Sequence, residues 1–367
     1  MNTLLRILLF FTWSSILYAQ KYSNSFLELP VGAASAALGK AVVAMPNNVF
    51  SVFTNPATIP QKDNKYDYQI GLQHTESFGG VAKLDHLGFI YPFDKKKKYI
   101  ALSLLRYAID DIPNTFQLIA PDGSYNFAAI TPFSAIDLAF LTTYSQRIWT
   151  RKGYLSIGAN AKIIHRRVGS FAEAWGFGVE AGLAYKINNL RLGLFVNDLS
   201  NTFNAWKYSF SDDEKNILTL TGNKIPSTSL EVTRPRVSIG GAYLLSKDVI
   251  SFQPMVNFTY FFDGKRNTII NLDSSSIDIN VGAELGFFDK VYLRSGISNF
   301  QYYKIVDKQI LTYQPSFGIG IKFYNIVLEY AFTQLRTEFS PSYSHIISFL
   351  YNVDKNYFNK PKKYKYK

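Results

Sequence analysis

The feature that most constrains the fold is an alternation of apolar residues with small or charged residues over unusually long runs. Residues 136–145, 175–187 and 277–287 show it best, and these runs are 10 to 13 residues long. A period of two is the pattern of a β-strand with one apolar face. A typical soluble strand has about five or six residues, whereas a tilted membrane-crossing strand has about 9–11. The length of the runs therefore favours strands that cross a membrane.

Fourteen runs of this kind can be marked along the chain, and an even number lets an antiparallel sheet close into a barrel. Closure leaves no unpaired strand edge, which the hydrocarbon layer would not tolerate. The fold class that we predict is an all-β, 14-stranded antiparallel outer-membrane β-barrel. The predicted strands are 66–75, 81–92, 98–107, 132–147, 152–166, 174–187, 190–199, 234–245, 249–262, 276–288, 291–300, 312–323, 325–336 and 343–353.

The connections between these runs differ in length according to their parity. After even-numbered runs they have one to five residues, whereas the connections after odd-numbered runs include 108–131, 200–233, 263–275 and 301–311. Outer-membrane barrels have short periplasmic turns and longer outer loops, while a soluble sandwich has no reason to sort its loops in this way. The parity predicts that both termini are periplasmic. A soluble periplasmic β-protein remains the alternative.

The ends of the chain predict the compartment and the domain limits. Arg6, a short apolar run and Leu17-Tyr18-Ala19 describe a secretory signal peptide over residues 1–19. After residue 19 the sequence contains no run of about 18 apolar residues, so it predicts no transmembrane helix. Of the formal net charge of +12, the six lysines and one aspartate in 354–367 contribute +5, and we interpret this stretch as a solvated periplasmic tail. The remaining domains are a plug over 20–65 and the barrel over 66–353.

The stretch 26–60 differs from the rest because it is rich in Ala, Gly and Val and has a proline near each end. Small side chains let backbones approach closely, and proline resists one long helix. We interpret the stretch as a compact plug inside the barrel. A helical segment packed on a soluble β domain is the alternative interpretation.

Three short motifs in this stretch carry a resemblance to a known family: Phe26-Leu27-Glu28-Leu29-Pro30, Ala37-Leu38-Gly39-Lys40-Ala41 and Asn55-Pro56-Ala57. They resemble the N-terminal region of the PorV/PorQ family of the type IX secretion system. The resemblance covers roughly a tenth of the chain and implies a FadL-like barrel with an N-terminal hatch in its lumen. It also implies that Gly39, Asn55, Pro56 and Ala57 form the plug motif. The family usually has paired acidic residues where this chain has Asn47-Asn48.

Charged residues on the polar face of the predicted strands should point into the lumen, because charge facing lipid costs about 2–4 kcal/mol for Arg or Lys at mid-membrane. There they can form ion pairs that hold the plug, or they can line a solute pathway. These residues are Asp137, Lys162, Glu180, Lys186, Arg191, Arg236, Asp278 and Glu284.

Four aromatic residues crowd the predicted loop 200–233, namely Phe203, Trp206, Tyr208 and Phe210. Exposed aromatic residues on a long loop predict a protein contact or ligand capture. Alternatively, they pack on the neighbouring loop 108–131 as a lid. Both interpretations are open at this point.

Enzyme chemistry is not predicted. The four histidines are dispersed, there is no cysteine, and no phosphate loop or nucleophile elbow appears. We expect no catalytic residue, no cofactor, no metal and no nucleic-acid partner. The resemblance implies a non-enzymatic accessory of type IX secretion or surface attachment, with the outer-membrane bilayer and secretion-system proteins or cargo as partners. A FadL-like channel for hydrophobic small molecules and a purely structural barrel are the alternatives.

Overall fold

The computed structural model gives the fold of nearly all of the predicted plug and barrel. The predicted signal peptide and the predicted basic tail lie outside the described residues. These are residues 23–353 without 47, 62–65, 96, 120–122, 151–152, 273, 306–307 and 337–340.

Eighteen strands in this part of the chain belong to one sheet, and every pair of neighbouring strands is antiparallel. The strands are β1 Tyr68–Ser77, β2 Ala82–Phe93, β3 Lys98–Asn114, β4 Thr131–Trp149, β5 Tyr154–Val168, β6 Ala172–Ile187, β7 Leu190–Asn197, β8 Thr202–Tyr208, β9 Ser229–Thr233, β10 Arg236–Tyr243, β11 Leu245–Lys247, β12 Ile250–Phe261, β13 Ile270–Leu272, β14 Ser275–Phe287, β15 Val291–Ile305, β16 Lys308–Phe323, β17 Ile326–Arg336 and β18 Pro341–Val353.

The sheet closes into a barrel because β1 pairs with both β2 and β18. Fourteen of the described strands make the closed wall, as the sequence predicted. Of the other four, β8, β9 and β13 lie in connections between wall strands, and β11 continues the line of β10. β7 therefore pairs with β10, and β12 pairs with both β10 and β14.

As predicted, the connections at one end of the barrel are short, whereas the long connections lie at the other end. We call the end of the barrel with the short connections the short-turn end, and the other end the long-loop end. At the short-turn end, the connections between wall strands have two to four residues, apart from 244–249, which contains β11. At the long-loop end, the prediction of a loop over 301–311 is wrong, because β15 continues to Ile305 and β16 begins at Lys308. Most of the predicted loop 200–233 is also structured, as β8, β9 and a helix.

Two bulges explain why these strands are longer than predicted. The register shifts between Ile109 and Ile112 in β3 and between Ser298 and Gln301 in β15. A bulge inserts an extra residue, so the alternation of faces changes phase there and a search for a constant period of two stops.

The two faces of the wall differ in chemistry. Residues that point inward are mostly small or polar, whereas a belt of exposed apolar side chains points outward. Aromatic side chains such as Trp149 at the short-turn end and Trp175 towards the long-loop end flank the belt. The belt includes Leu72, Leu87, Leu102, Leu104, Phe140, Ile163, Phe177, Leu183, Leu192, Ile239, Phe258, Val281, Leu293, Phe317, Ile319, Leu328 and Ile347.

The helices are short. None of them in the described part of the chain has the length and apolarity of a membrane-spanning helix. Ser211 and Glu214 form a capping box at the start of the longest one, α3. The helices are α1 Ala33–Ala37, α2 Ser51–Thr54 and α3 Asp212–Leu220, with 3-10 turns at Ser25–Glu28, Pro56–Gln61 and Phe127–Ala129.

The N-terminal segment lies inside the barrel, where it forms the plug. Its apolar side chains, including Val49, Phe50 and Ile59, are buried against inward residues of β2 to β5 such as Leu105 and Leu141. The lumen is therefore apolar on this side, although most inward positions elsewhere are small or polar.

Candidate functional site

Glycines on the inner face of the wall determine how closely the plug can approach. A Cβ on Gly182 would lie 2.1 Å from Asn55 Oδ1, and one on Gly193 would lie 2.2 Å from the Val43 carbonyl oxygen. At these wall positions the plug lies so close that no side chain larger than that of glycine fits. Eight inward glycines meet the plug in this way, each in the half of its strand nearer the short-turn end: Gly71, Gly88, Gly158, Gly182, Gly193, Gly282, Gly296 and Gly318.

Asn55 of the predicted plug motif joins the plug to the wall. Its buried Nδ2 donates hydrogen bonds to the carbonyl oxygens of Val43 at 2.9 Å, Leu183 at 3.1 Å and Leu194 at 3.4 Å. Its Oδ1 accepts a hydrogen bond from the Ala57 backbone N–H at 3.1 Å. One amide side chain therefore links the turn of the plug to the carbonyl groups of β6 and β7.

The other motif residues make close backbone contacts. The Pro56 carbonyl accepts a hydrogen bond from the Ser145 hydroxyl of β4. Ala57 is fully buried. Gly39 has a φ of +59°, and a Cβ there would lie 2.8 Å from the Ile297 backbone nitrogen of β15. Only glycine suits this combination of a left-handed backbone and a close approach.

Polar side chains of the wall also hold the plug backbone between these points. Asn160 donates to the Val52 carbonyl at 2.8 Å, and Gln69 accepts from the Val49 N–H at 2.8 Å. Ser348 accepts from the Ala33 N–H at 2.7 Å, and Ser316 donates to the Ala37 carbonyl at 2.9 Å. Buried backbone groups need such partners, so these side chains replace the water that an empty lumen would hold.

The predicted lumen charges Lys162 and Glu180 lie at the centre of a buried network. Lys162 is 1% exposed, and its Nζ lies 2.8 Å from Glu180 and 2.6 Å from Asp198. Asn160 donates to Glu180 at 2.8 Å. Burial alone would raise the pKa of the Asp198 carboxyl, but Lys162 and Arg236 hold that pKa below its ordinary value. This network joins β5, β6 and the turn after β7.

Residues 23–31, which we call the strap, cross the lumen before α1. Glu28 of the strap lies 2.7 Å from Arg236 and 3.3 Å from Arg266. Burial would raise the pKa of Glu28, but the two guanidinium groups hold the pKa below its ordinary value. Asn24 donates a hydrogen bond to Thr233 of β9 at 2.9 Å. The strap is thus fixed to elements of the long-loop end.

The remaining predicted charges also face the lumen, but with different partners. Asp137 lies 2.9 Å from Arg166, and Glu284 lies 2.7 Å from Arg294. The Lys186 ammonium lies 5.5 Å from the centre of the Tyr154 ring.

Arg191 and Asp278 complete the set of predicted lumen charges. Arg191 donates to Gln253 at 3.3 Å. Asp278 lines the same lumen cleft as Glu28 and Lys40. The structure thus distributes the eight predicted charges among separate clusters.

Sequence reasoning missed several partners in these clusters. Arg166 and Arg294 lie on the inner face of β5 and β15, so the strand period could have found them. Asp198 and Arg266 lie in connections, where no period signals an inward side chain. Glu28 was assigned to a motif but not to an ion pair.

An aromatic cavity of about 600 Å³ lies at the long-loop end. The apolar side chains of Ile217 and Leu218 in α3 close one side of it. No charged side chain is among its described lining residues. Its rings are Phe116, Phe133, Phe171, Trp206, Tyr208 and Phe210.

The predicted partner-loop residues are divided by their strand. Trp206 and Tyr208 lie on β8, and together with Phe210 they line the aromatic cavity. Phe203, on the same strand, is 38% exposed and does not line it. The Phe210 ring lies 6.4 Å from that of Phe116 in the connection 115–130, which is the contact that the lid interpretation describes.

Contacts around Trp206 connect the aromatic cavity to the strap. The Arg166 guanidinium lies 5.1 Å from the centre of the Trp206 ring and 5.9 Å from the centre of the Phe26 ring. Glu231 of β9 accepts a hydrogen bond from Trp206 Nε1 at 3.0 Å and lies 3.3 Å from Arg166. Phe26 belongs to the strap and Trp206 lines the aromatic cavity, so Arg166 contacts both the strap and the cavity.

The histidines do not assemble a site. Asp85 and His86 are neighbours on β2 but point to opposite faces. His86 is buried 5.2 Å from the Phe50 ring of the plug, whereas Asp85 lies outside, 2.7 Å from His74 and 2.9 Å from Arg106. Within the described ranges, no group of three or more His, Asp and Glu side chains is placed to hold a metal ion.

No protein-family model matches the chain, and no curated protein matches it in sequence. Among solved structures, the toluene transporter TbuX of Ralstonia pickettii superposes with a TM-score of 0.54 at 14% identity, over 88% of this chain and 98% of that one. The chain has the FadL-like fold.

Two further structures agree. The monoaromatic hydrocarbon channel CymD matches with a TM-score of 0.54 at 13% identity, over 88% of this chain and 98% of that one. A FadL homologue of Pseudomonas aeruginosa matches with a TM-score of 0.53 at 11% identity, over 87% and 98%. These similarities support the FadL-like part of the predicted resemblance, whereas none of them supports the PorV/PorQ family specifically. At such identities they establish the fold and not the function.

Proposed function

We propose that the protein is an outer-membrane channel for small hydrophobic compounds and that the aromatic cavity is its first binding site. The observation that carries the proposal is the cavity itself, which has about 600 Å³ and six aromatic rings. Ligand pockets have about 300–1,000 Å³ and are mostly apolar. Since the described lining has no charge, the cavity favours uncharged ligands over ionised ones.

The fold supports the same function. The chain shares its architecture with TbuX, a toluene transporter, and with CymD, a monoaromatic hydrocarbon channel. The function that we predicted as the alternative, a FadL-like channel, is therefore our first proposal. In it, the exposed apolar belt faces the bilayer of the outer membrane, the short-turn end faces the periplasm and both termini are periplasmic.

Equilibrium binding of tritiated toluene to the purified barrel in detergent tests the first binding site. We expect saturable binding that the variants Trp206→Ala and Phe171→Ala weaken at least tenfold. Trp149→Ala is the control because this tryptophan is exposed at the short-turn end, and it should leave the affinity unchanged. Absence of saturable binding, or equal loss in all three variants, would contradict the proposal.

The second candidate is the accessory role in type IX secretion that the PorV/PorQ resemblance implies. The closely held plug favours it, because Gly39, Asn55, Pro56 and Ala57 all contact wall or plug backbone and close the lumen. A barrel that binds secretion partners does not need to open. In this proposal, Phe203 on the outer face of β8 is the member of the predicted aromatic group that remains exposed for a partner.

Mild-detergent affinity purification from the native outer membrane, followed by mass spectrometry of proteins and lipids, separates the two candidates. Stoichiometric secretion-system proteins without a small hydrophobic molecule would favour the accessory. A lone barrel that carries such a molecule would favour the channel.

A further inference from the structure

A second chamber lies in the lumen beside the strap and differs in chemistry from the aromatic cavity. It has a volume of about 240 Å³. Ser25 and Glu28 of the strap line it, and six hydroxyl side chains come from the wall. We call it the hydroxyl chamber. The wall residues are Thr75, Ser77, Ser298, Ser316, Thr333 and Ser344.

The hydroxyls converge because the wall strands share one inner face. Thr75 and Ser77 are two residues apart on β1 and point inward together. Ser316 pairs with Thr333 across β16 and β17, and directly opposed residues in an antiparallel pair lie on the same face. Pairing of the strands therefore collects polar groups that are far apart in the sequence.

Several of these hydroxyls retain hydrogen-bonding capacity. Thr75 accepts from Gln73 at 2.8 Å, Thr333 accepts from Gln314 at 3.3 Å and Ser344 accepts from the Phe78 N–H at 3.3 Å. A hydroxyl that accepts still has its own proton to donate. Ser77 and Ser298 are buried, and their side-chain hydroxyls form no hydrogen bond to another described residue. Buried polar groups require partners, so the chamber must contain water or a polar ligand.

The charges beside the chamber favour an uncharged occupant. Lys40 and Glu28 both line it. Lys40 already interacts electrostatically with two carboxylates, Glu28 and Asp278. An anion in the chamber would meet the Glu28 carboxylate as well as the Lys40 ammonium, whereas a neutral hydroxyl group would meet only hydrogen-bonding partners.

The chamber also has an apolar part that can receive a ring. Leu29 and Pro30 of the strap and Leu84 and Ile346 of the wall line it together with the hydroxyls. A ligand that fits both parts has a compact apolar body and one uncharged hydrogen-bonding group. A monocyclic phenol has this chemistry, and an unsubstituted hydrocarbon lacks the polar group.

We propose that the hydroxyl chamber binds the hydroxyl group of uncharged aromatic alcohols and phenols, and that the protein prefers them to hydrocarbons. The inference rests on the proposed channel function, in which the hydroxyl chamber is a second binding site in addition to the aromatic cavity. A site that hydrogen-bonds a ligand hydroxyl discriminates strongly against the analogue that lacks it, because its polar groups are then left unpaired.

Toluene and p-cresol form a matched pair for the test because they differ by one hydroxyl group. Calorimetric titration of the full barrel in detergent should give an affinity for p-cresol at least tenfold higher than for toluene. Thr75→Val and Thr333→Val keep the side-chain shape and remove the hydroxyl. Each should weaken p-cresol binding by about 2- to 12-fold, the equivalent of one net hydrogen bond, and leave toluene binding unchanged.

Two controls separate this inference from the function on which it rests. Thr142→Val removes a hydroxyl from the outer face of β4 and should change neither affinity. Trp206→Ala should weaken toluene binding and leave the tighter p-cresol binding unchanged, because Trp206 lines the aromatic cavity and not the hydroxyl chamber. If toluene binds as tightly as p-cresol and only Trp206→Ala has an effect, the chamber holds water alone and the inference is overturned. If neither ligand binds, the channel proposal fails and the inference fails with it.

Discussion

The two ends of the lumen use aromatic and small residues in opposite ways. Near the short-turn end, glycines such as Gly158 and Gly182 bring the wall against the plug backbone. At the long-loop end, strands and a helix line an open cavity with rings such as Phe171 and Trp206. Closure of the lumen requires inward positions without side chains, whereas ligand binding requires large side chains that leave a space between them.

The largest effect should come from filling the space between wall and plug. Gly182→Leu would place a side chain where Asn55 and Pro56 now lie. We expect the barrel to form with its plug displaced, so that its open-channel conductance in planar bilayers exceeds that of the natural protein. Gly241→Leu is the control, since a Cβ there points outward and meets nothing closer than 3.7 Å.

A folded Gly182→Leu barrel that conducts no more than the natural protein would show that the glycines do not control closure. If Gly182→Leu does not fold, Asn55→Ala replaces it. That change removes three donated hydrogen bonds without adding bulk and should raise conductance to a smaller extent.

The next effect concerns the buried network that joins the wall to the turn after β7. Lys162→Met would leave Glu180 and Asp198 buried without their cation and should lower the free energy of unfolding by about 3–5 kcal/mol. Lys215→Met breaks an exposed pair with Asp212 on α3 and should cost at most about 1 kcal/mol. Urea unfolding of both variants in lipid vesicles measures the difference. Equal effects would mean that burial adds nothing to the network.

A smaller effect is expected on acidification. The pKa values of Asp198 and Glu28 are lowered in the folded protein from ordinary values of 3.8 and 4.5. Their stabilisation is therefore complete above the unfolded pKa values and is lost as the pH falls through the folded ones. The part of the free energy of unfolding that these two carboxylates contribute should be constant between pH 7 and pH 5 and fall below about pH 4.

Asp198→Asn removes one of these carboxyl groups and should flatten the loss of stability at acid pH. Asp213→Asn, on exposed α3, is the control and should keep the dependence of the natural protein. A curve for Asp198→Asn that coincides with that of the natural protein would contradict the assignment of the acid-sensitive group.

The smallest effect is expected on toluene affinity, and it should distinguish Phe210, which follows β8, from Phe203 on β8. Phe210→Ala removes one ring from the aromatic cavity and should weaken toluene binding by about 2- to 12-fold, the equivalent of one aromatic pair. Phe203→Ala removes a ring from the outer face and should leave the toluene affinity unchanged. Similar losses in both variants would mean that the rings act through the stability of the hairpin and not through contact with the ligand.

The sequence predicted the wall better than the site because the two depend on different kinds of information. Alternation with a period of two is local, so it identified fourteen strands and inward residues such as Lys162 and Glu180. The bulges near Asp111 and Asn299, both with positive φ, interrupt that period. The parts of β3 and β15 beyond them were therefore missed. The strands β8 and β9 lie in the predicted loop 200–233 and were missed separately.

The site depends on contacts between distant parts of the chain. Trp206 was singled out as an aromatic loop residue, but its cavity exists only because the connection 115–130, Phe171 and α3 meet it. The role of Asp198 depends on the position of Lys162 two strands away. No local pattern contains these distances, although the resemblance in the plug motif did indicate the FadL-like barrel.

A hydrophobic compound should bind in the aromatic cavity while the plug closes the lumen beneath it. Crystals soaked with 4-bromotoluene and measured at the bromine absorption edge test this claim directly. We predict an anomalous peak among Phe171, Trp206 and Phe210, with Asn55 still bonded to the carbonyls of β6 and β7. Bromine only on the outer apolar belt, or an empty aromatic cavity in fully soaked crystals, would contradict it.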